Sequence, residues 1–207
     1  MANGKRWWPM RPLVRLEKNK LDGIDLDFEW AENEKEYKDY SLAILKMREV
    51  LGNKYLFSVS LHPVCYKISK EAIEAVDFIS LQCYGPSPVR FPIEKYCSDI
   101  QMVLEYGIPK EKLVAGVPFY GVTKDNSKKT EAYFNFVQNG LVTSPAQNEV
   151  IYQGDTYVFD GQDNIRIKTR YAKEQKLKGM MSWDLATDLP LSDSRSLLKT
   201  MTEELRE

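Results

Sequence analysis

At 207 residues the chain is one domain, or at most two small ones. Hydrophobic residues at 43% and charged residues at 29% exclude a disordered or collagen-like chain. Lys plus Arg total 29 and Asp plus Glu total 30, a net charge of -1, which offers no general attraction for nucleic acid or an anionic membrane.

The opening MANGKRWWPM lacks the continuous apolar run of a secretory leader. No stretch approaches the ~20 apolar residues that would predict a transmembrane helix. Its Trp7-Trp8 pair reads as packing rather than as a sugar platform. A first strand is predicted at 23–30 (GIDLDFEW), then a helix at 32–51 with Gly52 as C-cap. A second strand follows at 55–62 (YLFSVSLH), a helix at 69–76 with Ser69 as N-cap, and a third strand at 77–84 (DFISLQCY). Next come a helix at 92–106 closed by Gly107 and a fourth strand at 113–120 (LVAGVPFY). A helix at 165–176 and a fifth strand at 179–184 (GMMSWD) complete the series. Strand and helix alternate, which argues a parallel α/β sheet or barrel. One segment breaks the rhythm: EVIYQGDTYVFD reads as a hairpin, 150–153 with 156–160, turning at Gly154-Asp155. It is expected to be a small insertion, about 146–161, in a single domain spanning 1–207.

The run Asp22-Gly-Ile-Asp25-Leu-Asp27-Phe-Glu29-Trp30 carries the chemistry. Side chains alternate between the faces of a strand, so Asp25, Asp27 and Glu29 share one face and Ile24, Leu26 and Phe28 the other. Three acids spaced about 6–7 Å apart along one strand raise each other's pKa. Glu29 stands nearest the C-terminal end, the face on which barrel enzymes place their chemistry. A proton-bearing Glu beside ionised Asp residues is what a general acid needs. A hydrated acidic strand on a sheet edge would alternate in the same way, and the same oxygens suit Mg²⁺ or Ca²⁺. The residues alone leave both readings open. Parity places Ser80, Gln82 and Tyr84 on one face, and Ser58, Ser60 and His62 on one face, as the polar, inward sets. His62 thus faces the barrel mouth, with a buried or rim histidine holding a hydrogen bond as the plainer reading; Tyr120 falls at the end of its strand; and Trp30 opposes Glu29 if the strand stays regular, or else turns into the cleft.

Other site chemistries find little support. Cys65, Cys83 and Cys97 are too few for a disulfide framework, and no C-x-x-C or H-E-x-x-H zinc pattern occurs. His62 is the only histidine, so a Ser-His-Asp hydrolase would have to use it as base. No phosphate-binding glycine motif is present.

The acidic run resembles the D-x-x-D-x-D-x-E signature of glycoside hydrolase family 18, the chitinases and related endo-N-acetylglucosaminidases, at Asp22, Asp25, Asp27 and Glu29. The segment 77–84 resembles the family's sixth barrel strand, 112–121 its seventh and 179–184 its eighth, so the likeness runs from about Leu13 onward. It implies a TIM (β/α)8-type barrel and retaining, substrate-assisted hydrolysis of β-1,4-linked N-acetylglucosamine in chitin, chito-oligosaccharides or N-glycan cores, without cofactor or metal. It also implies Glu29 as proton donor, Asp27 as orienter of the substrate acetamido group supported by Asp25, and Tyr84 as donor to the acetamido oxygen. Trp183 would stack under the sugar, with Asp22, Gln82, Tyr120 and His62 as further substrate-binding candidates. A form carrying a leader would act outside the cytoplasm. The alternative is a non-catalytic carbohydrate-binding protein or an inactive remnant of the fold; the intact Glu29 argues against a lectin, while the missing strands argue the other way.

Two departures stand out. The family often has Asp after the strand-six tyrosine, and here Gly85 follows Tyr84. The signature belongs to the fourth strand of the family barrel yet begins at residue 22, with room for no three β/α units of about 30 residues each before it. The expectation is an incomplete barrel, with strands four to eight present and the first three missing. Its two open sheet edges invite self-association.

Overall fold

The computed structural model describes residues 10–84, 91–125 and 129–206. The Trp7-Trp8 pair and Gly85 lie outside these residues.

The chain opens with helix α1 (Met10–Asn19), strand β1 (Gly23–Asp27) and helix α2 (Glu34–Leu51). Asn33 caps α2, accepting from the Glu36 amide at 3.0 Å, and Gly52 closes it as the sequence predicts. Strand β2 (Leu56–Leu61), helix α3 (Lys70–Ala75) and strand β3 (Phe78–Leu81) follow, with Ser69 as the predicted N-cap of α3. Helix α4 (Ile93–Tyr106) ends at Gly107, whose φ of 111° only glycine adopts easily. Strand β4 (Leu113–Pro118) comes next.

The chain then leaves the parallel rhythm. Strands β5 (Tyr120–Thr123) and β6 (Thr130–Ala132), helix α5 (Tyr133–Gln138) and strands β7 (Glu149–Tyr152) and β8 (Asp155–Val158) build a second, antiparallel sheet in the order β6-β5-β8-β7. The predicted hairpin is β7–β8, but its turn is Gln153-Gly154, with φ values of 51° and 87°. Asp155 already pairs with Tyr152, so it cannot be a turn residue as the sequence reading had it. The hairpin is also half of a larger unit, because Val122 and Thr123 of β5 pair with Val158 and Tyr157. Helix α6 (Gln162–Glu174), strand β9 (Gly179–Trp183), a short 3₁₀ turn (Leu185–Thr187) and helix α7 (Leu197–Arg206) complete the chain.

The main sheet is fully parallel, ordered β1-β2-β3-β4-β9, so spatial order follows chain order as in a wound α/β barrel. Phe57, Val59 and Leu61 of β2 and Ile79 and Leu81 of β3 are buried in the core with Ile44 and Met47 of α2 and Ile100 and Val103 of α4. Ser58, Ser60 and Ser80, in the alternate positions, take the other face. Among the described residues β1 and β9 each pair on one side only, leaving two open edges. The strands are shorter than the sequence reading had them. Parallel pairing of β1 stops at Asp27 and that of β3 at Leu81, so Phe28–Trp30 and Gln82–Tyr84 lie beyond the ladders.

A buried ion pair ties the second sheet to the first. Lys168 of α6 is 1% exposed and Asp160, just beyond β8, 0%. The Lys168 ammonium donates to Asp160 at 2.5 Å and to the Phe91 carbonyl ahead of α4 at 2.8 Å, and lies 5.5 Å from the Tyr96 ring centre. Such a pair anchors three segments, at the cost of withdrawing two charges from water. Lys168→Met is expected to lower unfolding free energy by about 3–5 kcal/mol, because Asp160 is left as an uncompensated buried charge. Urea denaturation measures this, and an unchanged midpoint would show that the pair is not needed.

Candidate active site

The inner face of the parallel sheet opens into a cleft of about 580 Å³ at the C-terminal ends of its strands. Asp25, Asp27 and Glu29 line it, on the face that strand parity requires. Register then supplies a donor for each acid. Asp25 pairs in the ladder with Ser58, and Asp27 with Ser60. Both serines donate to Asp25, Ser58 to Oδ1 at 2.5 Å and Ser60 to Oδ2 at 2.7 Å. Gln82 Nε2 donates to Asp27 Oδ1 at 3.2 Å. His62 Nε2 lies 3.1 Å from Glu29 Oε1.

The three acids therefore occupy different surroundings. Asp25 is held by two hydroxyls. Asp27 has its pKa raised by burial first, then by the charges of Glu29 and Asp25, with the Gln82 hydrogen bond opposing. Glu29 stands at the mouth with its side chain 44% exposed.

Tyr84, Tyr120 and Trp183 line the opposite part of the cleft. The Tyr84 phenol is held firmly neutral, chiefly by burial and secondarily by Tyr120 and Asp27, so it remains a donor. Its ring meets Tyr120 edge-on at 6.3 Å, and Tyr120 meets Phe91 at 6.2 Å. Trp183, at the end of β9, is 57% exposed and lines the cleft. A flat apolar ring beside polar donors suits the apolar face of a pyranose.

One candidate lies elsewhere. Asp22 is not in the cleft: it precedes β1 at the opposite end of the strand from Glu29, exposed, with its carbonyl accepting from the Leu56 amide at 2.9 Å. Strand parity cannot rescue it, because a residue before the strand lies at the wrong end of the sheet. His62 lines the cleft. It is 5% exposed, lies against Glu29, and packs edge-on against Trp30 at 3.9 Å. Trp30 itself lines the cleft instead of opposing Glu29, because regular strand geometry ends at Asp27. The other candidates, Asp25, Asp27, Glu29, Gln82, Tyr84, Tyr120 and Trp183, converge as expected.

The sequence reading did not single out Ser58, Ser60, Gly116 and Met181 as site residues. Alternation already put both serines inward, and the same rule places Met181 on the face of Trp183. Gly116 gives no such signal. A Cβ there would lie 2.7 Å from the Leu81 carbonyl oxygen, 2.9 Å from Met181 and 3.0 Å from the Tyr84 ring. Glycine is thus what lets the Tyr84 ring reach its place. Among the described residues no group of three or more His, Cys, Asp or Glu side chains is arranged to hold a metal ion. The carboxylates are met by hydroxyl, amide and imidazole groups instead. No helix among the described residues is long and apolar enough to cross a membrane.

The sequence and fold have relatives. A probable chitinase 2 from Drosophila melanogaster is 23% identical over 237 aligned residues, covering 84% of this chain and 49% of that protein. The chain thus spans about half the length of curated relatives such as this one. The GH18 chitinase ChiB from the chitin utilization locus of Flavobacterium johnsoniae superposes with a TM-score of 0.75 at 25% identity, covering 92% of this chain and 62% of ChiB. The chitinase-like agglutinin RobpsCRA from Robinia pseudoacacia gives a TM-score of 0.77 at 18% identity, covering 93% of this chain and 70% of the agglutinin. Such neighbours share an α/β, TIM-barrel-like fold, and the parallel sheet with intervening helices agrees with it. Residues 13–188 match the profile of the glycosyl hydrolases of family 18, and the chain belongs to that family.

Proposed function

We propose that the chain is a glycosidase of chitinase type that cleaves β-1,4-linked N-acetylglucosamine by retaining, substrate-assisted catalysis. One observation carries the reading. Asp25 and Asp27 on one face of β1, and Glu29 just beyond it, end in a cleft that also holds Tyr84 and Trp183. In this reading Glu29 protonates the glycosidic oxygen while the substrate's own acetamido oxygen attacks C1. Being tethered to the reacting sugar, that oxygen attacks at high effective concentration. Asp27 orients the acetamido N–H and stabilises the positive charge of the cyclic intermediate, and Tyr84 donates to the acetamido oxygen. Trp183 stacks under the sugar. Water then opens the intermediate, with Glu29 taking its proton. The five parallel strands correspond, in the same reading, to the fourth to eighth strands of the family barrel.

A second reading, carbohydrate binding without cleavage, is favoured by the likeness to an agglutinin. Glu29→Gln separates the two. It is expected to cut turnover of chito-oligosaccharides ~10²–10⁴-fold while binding persists, because the amide keeps the shape but delivers no proton. Wild-type binding without turnover would establish the second reading, and near-wild-type turnover by Glu29→Gln would sink the proton-donor assignment.

The nucleophile has its own test. Removing the acetyl group from the sugar at the cleavage position should abolish hydrolysis, although ring and linkage are unchanged. A thiazoline mimic of the cyclic intermediate should inhibit far better than N-acetylglucosamine. Equal rates on acetylated and deacetylated oligomers, or a covalent glycosyl adduct on Asp27, would overturn substrate assistance.

Asp27 also makes stability depend on pH. Burial and the charges of Glu29 and Asp25 raise its pKa in the folded chain, so folding favours its protonated form. Its stabilising contribution is fully present below the unfolded value and is lost as pH rises through the folded one. Asp27→Asn keeps a neutral group at every pH. The variant is therefore expected to melt above the wild type near pH 7, with the gap closing as pH falls through the raised value. Melting curves across that range that show a variant less stable at neutral pH would contradict the charge-crowding argument.

A further inference from the structure

We propose that His62 is a positioning residue for Glu29: it holds Oε1 of the carboxyl through an Nε2–H donor, which leaves Oε2 to present the proton to the cleft. This rests on the reading of Glu29 as the proton donor. The geometry carries it. His62 Nε2 is 3.1 Å from Glu29 Oε1. The imidazole is 5% exposed and set edge-on against Trp30 at a centroid distance of 3.9 Å. Its backbone is pinned as well, by a two-way bridge to Cys65: His62 N to Cys65 O at 3.2 Å and Cys65 N to His62 O at 2.8 Å. The Cys65 sulfur in turn accepts from the Ala31 amide at 3.2 Å, which secures the chain just after Trp30. A half-exposed glutamate on a segment beyond the end of its strand gains a fixed direction from a buried, packed partner.

The hydrogen bond has consequences for the reaction. A neutral carboxyl accepting at Oε1 carries its proton on Oε2. When that proton passes to the glycosidic oxygen, the C1–O bond breaks and Glu29 becomes a carboxylate. The Nε2–H···Oε1 contact then becomes charge-assisted and stronger, so it stabilises the transition state more than the ground state. Water attack on the cyclic intermediate returns a proton to Oε2.

His62 is the only histidine in the chain, so its ring nitrogens give unambiguous NMR signals. ¹⁵N spectra of untagged protein near neutral pH should show the Nε2–H tautomer, with Nε2 shifted in Glu29→Leu. The Nδ1–H tautomer, or a signal indifferent to Glu29→Leu, would overturn the proposal, whether or not the protein proves to be a glycosidase. Kinetics supply the second arm. His62→Leu should lower kcat on a chito-oligosaccharide about 10- to 100-fold with KM near the wild-type value, as loss of one hydrogen bond to a charged group implies. The deficit should shrink on a 2,4-dinitrophenyl glycoside, whose leaving group needs little protonation. His62→Gln, which restores an N–H donor, should recover kcat. Equal deficits on both substrates, or no recovery by His62→Gln, would mark His62 as packing only. Absent wild-type turnover with the NMR result intact would refute the glycosidase reading and leave the His62–Glu29 pairing standing.

Discussion

Three like-charged side chains on one face of a single strand set the terms for the rest of this structure. Asp25, Asp27 and Glu29 repel one another, and none can leave the inner face without turning Ile24 and Leu26 away from the core. The neighbouring strands resolve the conflict through register. Parallel pairing sets Ser58 and Ser60 against Asp25, and the segments beyond β2 and β3 bring His62 to Glu29 and Gln82 to Asp27. Close approach of β1 to β2 is a condition for this. A Cβ on Gly23 would lie 2.4 Å from the Leu56 carbonyl oxygen, so glycine at that position lets the ladder start.

Three carboxylates thus acquire three characters from three surroundings. Asp25 is saturated by hydroxyls, Asp27 is held towards its protonated form, and Glu29 is open to the cleft with an imidazole at its back. Crowding at Asp27 costs folding free energy, because burial and the charges of Glu29 and Asp25 disfavour its ionised form.

The opposite wall depends on the second sheet. Tyr120 opens β5 and is braced by Phe91 and Tyr84, and Phe91 is in turn held through its carbonyl by the buried Lys168. Lys168 answers to Asp160 at the end of β8, so the antiparallel sheet and the cleft wall share one anchor. Gly121 fits the same economy of space, since a Cβ there would stand 2.6 Å from the Phe136 ring of α5. The antiparallel sheet is therefore part of the cleft's construction.

By itself the sequence determined the parallel α/β class, the helix ends at Gly52 and Gly107, and the inward face of every barrel strand that lines the cleft. Those features depend on short-range periodicity and on caps, which neighbouring residues settle among themselves. The tertiary structure alone decided where each strand stops, because ladder length depends on the partner strand. It alone removed Asp22 from the cleft, turned Trp30 into it and set His62 against Glu29, since the course of the chain before and beyond the paired positions is decided by its neighbours in space. Pairing of β5 with β8, across more than thirty residues of chain, likewise left no local pattern. Gly116 and the Lys168–Asp160 pair carry no sequence signal because their meaning lies in what stands next to them in space, and only the folded chain brings those neighbours together.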